Sequence, residues 1–484
     1  MGLTLIDLLV IILYLLLCVV IGIKAGGRPS DSTSYFKTDG KVPWWAVSLS
    51  VVATETSMLT VISIPAVAYL GSFVFLQIVL GYILGRIVVA WLILPSYFKG
   101  EQKTAYTFFK ERFGPGFQRL ISIVFLVTRL LADGVRLFAA AIPIKVITGL
   151  DYPVSISIIA ALTLAYTYYG GLKSVIWIDV LQLAVYTFGG AFVIWFAGTH
   201  IVDPLIPMLA DADKLSVIVW PESLSFVFTE PYNIIGAVLG GMFLSMASHG
   251  VDHLMVQRLL ACGELRKARM AIVTSGFLVL IQFVLFLFVG MAIYGYYNGL
   301  SIAELGLTQA DEVLLKFINE EIPVGIAGLL IAGLFAAAMS TLSSSLSALS
   351  SSTLFDVFPK LSELPNSMNI SRGFTLMWTA IFILFAISFT STENPVIELG
   401  LAIAGFTYGG LLGAFFTGRY TNISRTSATI ALLVCVFSMT AIIFLGNIAY
   451  PWYTLIGVSI FFTTAAISHA ISSILQKFRP QTGS

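Results

Sequence analysis

The chain has 484 residues, of which 58% are hydrophobic and only 11% are charged, and its formal net charge is +1 at pH 7. A soluble domain of this length needs far more charge to cover its surface, so the composition indicates an integral membrane protein and gives no support for nucleic-acid binding. The three cysteines lie far apart and form no CxxC pair, which argues against a disulfide framework and a cysteine-ligated metal.

Apolar stretches long enough to cross a bilayer recur along the whole chain. A crossing helix needs about 20 apolar residues, and this length predicts about thirteen spans. The first has no basic region ahead of it and is too long for a signal-peptide core, so we expect it to be retained. The predicted spans are 4–24, 43–70, 73–97, 118–148, 153–170, 174–199, 233–260, 270–297, 323–358, 370–390, 395–417, 425–446 and 450–475.

Basic residues occur in every second connection between these spans. Lysine and arginine cluster in 98–117 and 258–269, a set that includes Arg258, whereas 201–232 and 298–322 are mostly acidic. Positively charged loops stay in the cytoplasm. The pattern therefore predicts a multi-pass protein of the plasma (inner) membrane with its N-terminus outside and its C-terminus in the cytoplasm.

Two predicted spans contain polar interruptions near their middle. The second includes VVATETSMLTVISIPA (51–66), which favours either a helix kinked at Pro65 or a discontinuous helix whose freed carbonyls line a cavity. The seventh includes SMASHGVDHLMVQR (245–258), where His249 and His253 are four residues apart. Two histidines are too few for a zinc site, so hydrogen-bonded lining or packing is the favoured interpretation. The two spans are five helices apart, which predicts two five-helix units of inverted topology.

Ionisable residues inside the spans are functional candidates by default. Arg129, Asp133 and Arg136 share one helix face, because their spacing is i, i+4, i+7. They form either a self-neutralising stripe or a lining that meets a charged solute, and the sequence leaves both open. The full set is Glu55, Arg86, Arg129, Asp133, Arg136, Lys145, Asp179 and Asp252.

Hydroxyl side chains concentrate in the ninth span, LFAAAMSTLSSSLSALSSST (334–353). At helical spacing one face carries Ser340, Ser343, Ser344, Ser347 and Ser351. Small residues and hydroxyls can join helices in lipid, which is one interpretation. The other is a sodium site, since a hard cation takes oxygen ligands.

Three segments give the chain a family resemblance: YYGGLKSVIWIDVLQ (168–182), DHLMVQRLL (252–260) and FAAAMSTLSSSLSALSSS (335–352). With them the whole chain resembles the sodium:solute symporter family, which includes bacterial sodium-coupled proline, sialic acid and galactose transporters. The resemblance implies an all-α integral membrane protein with a LeuT-like inverted-repeat fold of 5+5 helices in one transmembrane domain, 1–484. Its expected parts are an extra N-terminal helix and loop (1–42), repeat 1 (43–199), repeat 2 (233–417) and two C-terminal helices (425–475).

The resemblance also implies ion and solute sites. A shared sodium site is expected from carbonyls of Ala53, Thr56 and Ala337 with the hydroxyls of Ser340 and Thr341. A second sodium is allowed at Asp179, Ser340, Ser343 and Ser344. Solute contacts are expected from Glu55, Ser57, Thr60, Arg129, Asp133 and His249.

These features favour a sodium-coupled symporter, not an enzyme, that takes up a small organic solute by alternating access. The arginines suggest a carboxylate and Glu55 an amine or hydroxyl, so an amino acid such as proline, a sialic acid-like sugar or a monocarboxylate fits. We expect Arg129 rather than Arg136 to meet the carboxylate. A neutral sugar or polyol is the alternative solute, and an intramembrane hydrolase at His249, Asp252 and His253 or a passive channel are the alternative classes. The expected partners are the solute, one or two sodium ions and the bilayer, with no nucleic acid and no obligatory protein partner evident.

Overall fold

The computed structural model describes residues 4–27, 29–38, 42–100, 102–201, 203–388 and 396–477, and regular structure within these ranges is helical without strands. The predicted segments include residues 1–3, 28, 39–41, 101, 202, 389–395 and 478–484, which lie outside these ranges. The helices are α1 Leu5–Gly26, α2 Ser32–Phe36, α3 Trp44–Glu55, α4 Met58–Leu70, α5 Leu76–Val88, α6 Leu94–Tyr97, α7 Thr107–Phe113, α8 Pro115–Thr148, α9 Tyr152–His200, α10 Leu205–Asp211, α11 Leu224–Thr229, α12 Ile234–Gly250, α13 His253–Leu260, α14 Leu265–Tyr296, α15 Val313–Glu320, α16 Ile326–Ser352, α17 Ser367–Ser388, α18 Val396–Tyr420, α19 Arg425–Leu445 and α20 Trp452–Lys477.

Within the described residues nine helices are long and apolar enough to cross a membrane, or up to ten if the bent pair α3 and α4 forms one span. Helical segments occupy the positions of the predicted spans, including the charged α8. The exact number of crossings stays a prediction.

The second predicted span is discontinuous rather than kinked at its proline. Helix α3 ends at Glu55, α4 begins at Met58, and the two are bent by 67°. Thr56 and Ser57 between them have extended backbone conformations. Since a helix end leaves its last carbonyls without backbone donors, the break exposes oxygens in the protein interior. Pro65 lies inside α4 and does not cause the break.

The seventh predicted span is also interrupted. Helix α12 ends at Gly250, and α13 begins at His253 after an extended Asp252. The Asp252 carboxylate caps α13 by accepting from the Leu254 backbone N–H at 2.9 Å. The new helix therefore starts where a capping residue is available.

Helix α9 has 49 residues, which is about 74 Å if straight and more than one bilayer crossing needs. It is not straight, because Gly171 has non-helical φ 58° and ψ −155°. A Cβ on Gly22 of α1 would come within 2.6 Å of Tyr166 Cβ and 3.0 Å of Ser174 Oγ. Residues eight apart in a straight helix lie about 12 Å apart, so the chain turns back on itself at Gly171.

Helix α16 is the central element. In its most apolar window 89% of residues are buried, compared with 28% for α1, so α16 is enclosed by other helices whereas α1 is peripheral. Helices α9, α8, α3 and α4 all pack against it. The hydroxyl-rich face thus lies inside the protein, beside both the break in α3–α4 and the second half of α9.

Glycines permit the closest helix contacts. Helices α5 and α12 pack so tightly that a Cβ on Gly81 would come within 2.4 Å of the Val238 carbonyl. A Cβ on Gly290 of α14 would meet the Pro65 carbonyl at 2.1 Å. Small residues commonly drive such approaches in membranes, where there is no hydrophobic effect between helices.

Candidate ion and solute sites

The break after α3 faces the hydroxyls of α16. Ser340 Oγ donates to the Ala53 carbonyl at 3.0 Å, and Thr341 Oγ1 donates to the Ala337 carbonyl at 3.3 Å. Thr56 lies in the break and accepts from Gln282 Nε2 of α14 at 2.6 Å. The structure therefore brings Ala53 against Ser340 and sets Thr56 at the adjacent chain break. Neutral oxygens from carbonyls and hydroxyls are suitable ligands for a hard monovalent cation.

A second set of oxygens surrounds Asp179, which is fully buried in the second half of α9. Its Oδ2 accepts from Ser50 Oγ at 2.6 Å and from Thr54 Oγ1 at 3.4 Å. Thr54 in turn contacts Ser344 Oγ at 3.1 Å. The other oxygen, Oδ1, is buried without a hydrogen-bond partner. A buried carboxylate oxygen without a donor fits a bound cation or water.

The serines expected beside Asp179 are on the facing side of α16. Ser343 Oγ and Ser344 Oγ donate to the Ser340 carbonyl at 3.1 and 2.6 Å. Both are fully buried, so they are enclosed in the same interior region as the first set. Ser340 belongs to both expected ligand sets.

Arg258 is not in a cytoplasmic loop, contrary to the prediction that grouped it with loop arginines. It is fully buried near the end of α13, and its Nη2 lies 3.4 Å from Asp179 Oδ2. Nη2 also contacts Ser344 Oγ, while Nε donates to Ser50 Oγ at 3.1 Å. The physical reason is compensation: a buried carboxylate is costly without a partner charge.

Further buried polar atoms lie on α9 and α14. Gln182 and Tyr186 follow Asp179 on one face of α9, and Gln282 faces them from α14. Both side-chain polar atoms of Gln182, the Tyr186 hydroxyl and Gln282 Oε1 are buried without hydrogen-bond partners. Such groups are usually satisfied by water or ions, so this interior is suited to hydrated cations.

A small cavity opens beside the break in α3–α4. Its polar lining comes from Ser57, Asp133, Arg136 and Thr341, and its apolar lining from Met58, Leu59, Leu137, Ala338 and Leu342. The Arg136 side chain is 27% exposed, compared with 8% for Arg129, so Arg136 is the arginine available to this space. Thr341 links the cavity to the first oxygen set.

The expectation that Arg129 rather than Arg136 is free for a solute differs from this geometry. Arg129 Nε lies 3.1 Å from Asp252 Oδ2, with Nη2 on the same oxygen and 2.8 Å from the Tyr408 hydroxyl. The Asp252 carboxylate neutralises Arg129 because neither buried charge can stay unpaired. Arg136 bonds Asp133 Oδ1 at 2.9 Å and keeps part of its surface open to the cavity.

Glu55 ends α3 in a separate charged cluster. Arg86 Nη2 of α5 contacts Glu55 Oε2 and lies 3.0 Å from His249 Nε2 at the end of α12. His249 Nδ1 also lies 2.8 Å from the Ser248 hydroxyl. Glu55, which is 19% exposed, therefore has its own cation, and the cluster joins both broken spans through α5.

The remaining predicted residues lie apart. Thr60 Oγ1 is 3.4 Å from Ser57 Oγ in the first turn of α4. His253 contacts Ser351 at 2.8 Å, away from the Glu55 partner of His249, so the two histidines do not converge. In the described ranges no three His, Cys, Asp or Glu residues are grouped to hold a metal ion.

The sequence analysis did not assign three residues of these polar clusters to a site: Arg258, Tyr408 and Gln282. Arg258 could have been found, because it lies six residues after Asp252 in a segment the family resemblance already marked. Tyr408 and Gln282 had no sequence signal, since each becomes polar lining only through contacts with distant helices.

Comparisons with known proteins identify the family of the chain. The profile of the Sodium:solute symporter family matches residues 35–416. The sodium/sialic acid symporter SiaT of Proteus mirabilis is 28% identical over 92% of this chain and 90% of its own. The human sodium/iodide cotransporter is 27% identical over 89% of this chain and 68% of its own.

Solved structures show the same fold. A Na⁺-coupled sialic acid symporter in a substrate-bound outward-open state, described as revealing a novel Na⁺ site, matches with a TM-score of 0.84 and 25% identity over 97% of this chain and 98% of that chain. A nucleobase-cation-symport-1 family transporter matches at 0.52 and 14% identity over 94% of this chain and 96% of its own, which bears on the fold alone. This chain belongs to the sodium:solute symporter family and is a sodium-coupled membrane transporter of the LeuT-like inverted-repeat fold, not an enzyme.

Proposed function

We propose that the chain carries a carboxylate-bearing solute together with sodium, and that Arg136 is the group that meets the carboxylate. The observation behind this is the cavity beside the α3–α4 break, where a partly exposed arginine adjoins two hydroxyls. A guanidinium presents paired donors that suit a carboxylate, and Ser57 and Thr341 supply further donors.

The proposed first sodium site comprises Ala53, Thr56, Ala337, Ser340 and Thr341. Thr341 also lines the solute cavity, so sodium and solute share an element that orders both. A sodium ion that joins the end of α3 to α16 stabilises the conformation in which these two helices are close. The ion shifts the equilibrium between conformations only through the difference in its affinity for them. The second proposed site comprises Asp179, Ser340, Ser343 and Ser344.

Among the proposed solute contacts, Ser57 and Asp133 line the cavity. Thr60 lies next to Ser57 in the first turn of α4. Glu55 and His249 form the charged cluster with Arg86, so we assign them to the wall behind the site. Arg129 positions Asp133 and is not itself the carboxylate ligand. This revision follows from the exposure of the two arginines and their partners.

Names of relatives support an acidic solute. Two sodium/sialic acid symporters and several sodium-coupled monocarboxylate transporters are among the proteins to which this chain is similar. The human sodium/iodide cotransporter also carries an anion by name. A sialic acid-like sugar acid or a monocarboxylate is therefore favoured over a zwitterion such as proline, because Glu55 already has a cation.

We further propose that the protein lies in the plasma (inner) membrane with its N-terminus outside and its C-terminus in the cytoplasm, following the distribution of basic loops. The repeats are proposed at 43–199 and 233–417, preceded by 1–42 and followed by 425–475. No obligatory protein partner is included in this proposal.

A ligand screen tests the solute class. Purified protein is heated with N-acetylneuraminate, lactate, proline or glucose in sodium or potassium buffer, since a ligand of the folded state raises apparent stability. We expect an acid without a cationic group to raise the melting temperature only in sodium. Stabilisation by glucose but by no acid would replace this proposal with neutral-sugar transport.

A further inference from the structure

The second oxygen set already holds a positive group. The Arg258 guanidinium contacts Asp179 Oδ2 at 3.4 Å and Ser344 Oγ through the same nitrogen, Nη2. Asp179 and Ser344 are also two of the four residues proposed to bind a second sodium. A guanidinium and a metal cation both bind to oxygen atoms. Asp179 and Ser344 therefore cannot make their full contacts with Arg258 and with a sodium ion at the same time.

We propose that Arg258 is a built-in cation that competes with the second sodium for Asp179 and Ser344. This inference rests on the second sodium site proposed above. Without that ion, Arg258 neutralises Asp179 and fills the site. When sodium binds, Nη2 withdraws from Ser344, and the ion takes this hydroxyl and the unpartnered Oδ1 of Asp179.

The remaining contacts of Arg258 allow such a withdrawal without freeing the side chain. Its Nε donates to Ser50 Oγ at 3.1 Å, and its Nη1 donates to the Leu254 carbonyl one helical turn earlier at 2.8 Å. These two bonds do not involve sodium ligands. They anchor the guanidinium beside the site, where its charge continues to weaken the binding of a second cation.

The same short helix reaches the solute region. Asp252 caps the start of α13 and binds Arg129, whose Nη1 lies 3.5 Å from Asp133 in the cavity lining. Arg258 lies near the opposite end of α13. A displacement of α13 therefore moves both contacts together, which makes second-ion affinity dependent on the state of the solute cavity.

The test measures equilibrium binding of ²²Na⁺ to purified protein without solute. Arg258→Gln removes the charge but keeps a polar side chain, and we expect the second binding step to tighten at least about tenfold. Arg258→Lys offers a single ammonium in place of the fork, so we expect a smaller gain in the same direction. Arg266→Gln is the matched control at an exposed arginine and should bind like the wild type.

The outcomes separate the two proposals. Unchanged second-ion binding in both Arg258→Gln and Arg258→Lys would overturn the competition, and the lysine variant alone decides if the glutamine variant does not fold. Asp179→Asn should abolish the second step in the wild type and in Arg258→Gln. If only one step is present and Asp179→Asn leaves it intact in both backgrounds, the second site itself is absent. Loss of the first step on Thr341→Ala is an independent check on the first site, because Thr341 belongs to the first ligand set alone.

Discussion

Thr341 is the residue at which the proposed ion and solute sites meet. Its hydroxyl donates to the Ala337 carbonyl at 3.3 Å, and its side chain lines the cavity that also exposes Arg136. Its neighbour Ser340 donates to Ala53 across the helix interface. Two consecutive residues of α16 thus belong to the proposed ion and solute sites, so each side chain has a separate predicted effect.

Replacing Ser340 with alanine is predicted to weaken sodium binding. The change removes a hydroxyl ligand and leaves the Ala53 carbonyl without its donor, so we expect the sodium concentration for half-maximal uptake to rise at least about tenfold, or 1.4 kcal/mol. Ser350→Ala is the control on the same helix, because its buried hydroxyl has no hydrogen-bond partner. Equal sodium dependence in the two variants would remove Ser340 from the site.

Arg136→Lys is predicted to raise the solute concentration for half-maximal uptake at least about tenfold, or 1.4 kcal/mol. A lysine supplies one ammonium where a carboxylate meets the paired donors of a guanidinium. Sodium binding without solute should be unchanged. The exposed Arg119 on the same helix provides the control substitution Arg119→Lys. Normal solute affinity in Arg136→Lys would make the arginine stripe a structural feature.

At the scale of helices, the short α13 is held from both ends by charge. Asp252 caps its first turn and binds Arg129 of α8, and Arg258 binds Asp179 of α9. The helix is thereby tied to two different parts of the bundle. Because ion pairs hold both of its ends, we expect α13 to move as one rigid unit. The ion pairs then limit how far the helix can be displaced.

Asp252→Asn is predicted to destabilise the protein by about 3–5 kcal/mol, because it removes the carboxylate that contacts the buried Arg129 most closely. The remaining carboxylate, Asp133, is 3.5 Å away and already pairs with Arg136. Asparagine is itself a good helix cap, so the loss reports the ion pair rather than the cap. Thermal unfolding in detergent measures the change. Combining it with Arg129→Met should cost less than the sum of the single changes, and strict additivity would contradict a direct pair.

Gly81→Val is predicted to destabilise the contact between α5 and α12 by about 1–3 kcal/mol, the usual cost of overpacking. Its Cβ would meet the Val238 carbonyl, a backbone atom that cannot rotate away. Gly198→Val is the matched control, since nothing lies within 4 Å of a Cβ there. A similar fall in melting temperature for both variants would mean that lost glycine flexibility, not contact, is responsible.

Much of this arrangement was predictable from sequence, for physical reasons. The polar run at 51–66 and the capping Asp252 each mark a helix break through local chemistry, and the serine spacing defines a single face of α16. Pairings between distant helices were not predictable. Whether Arg129 or Arg136 is free depends on Asp252, more than a hundred residues away, and nothing local to α8 records that contact. Arg258 was misplaced because a charge near a span end is ordinarily a loop residue.

At the scale of the whole molecule, the charges around the broken helices cancel. Each of four arginines has a carboxylate partner: Arg86–Glu55, Arg129–Asp252, Arg136–Asp133 and Arg258–Asp179. Burial of unpaired charge in a membrane is costly, so this balance stabilises the protein core in lipid. Any net charge that crosses with the loaded core then comes from the ions and solute themselves.

The charge moved per solute is predicted to depend on sodium concentration. A monoanionic solute with one sodium ion adds no net charge, and a second sodium adds one positive charge. If Arg258 weakens the second site as proposed, transport should be electroneutral at low sodium and carry about one charge per solute as that site fills. Labelled uptake into proteoliposomes at clamped potentials measures the ratio. A ratio that is constant across sodium concentrations would contradict this coupling.

The turn at Gly171 has a consequence for everything that follows it. Each crossing takes the chain to the other side of the membrane. The side on which a later helix begins therefore depends on whether the number of preceding crossings is odd or even. The backbone at φ 58° and ψ −155° is a conformation essentially reserved for glycine, and a Cβ there would lie 2.3 Å from the Tyr35 carbonyl. In the predicted topology these residues cross the membrane twice, whereas a straight helix would cross once. Every later helix would then have the opposite orientation, and Ser340 could not face Ala53.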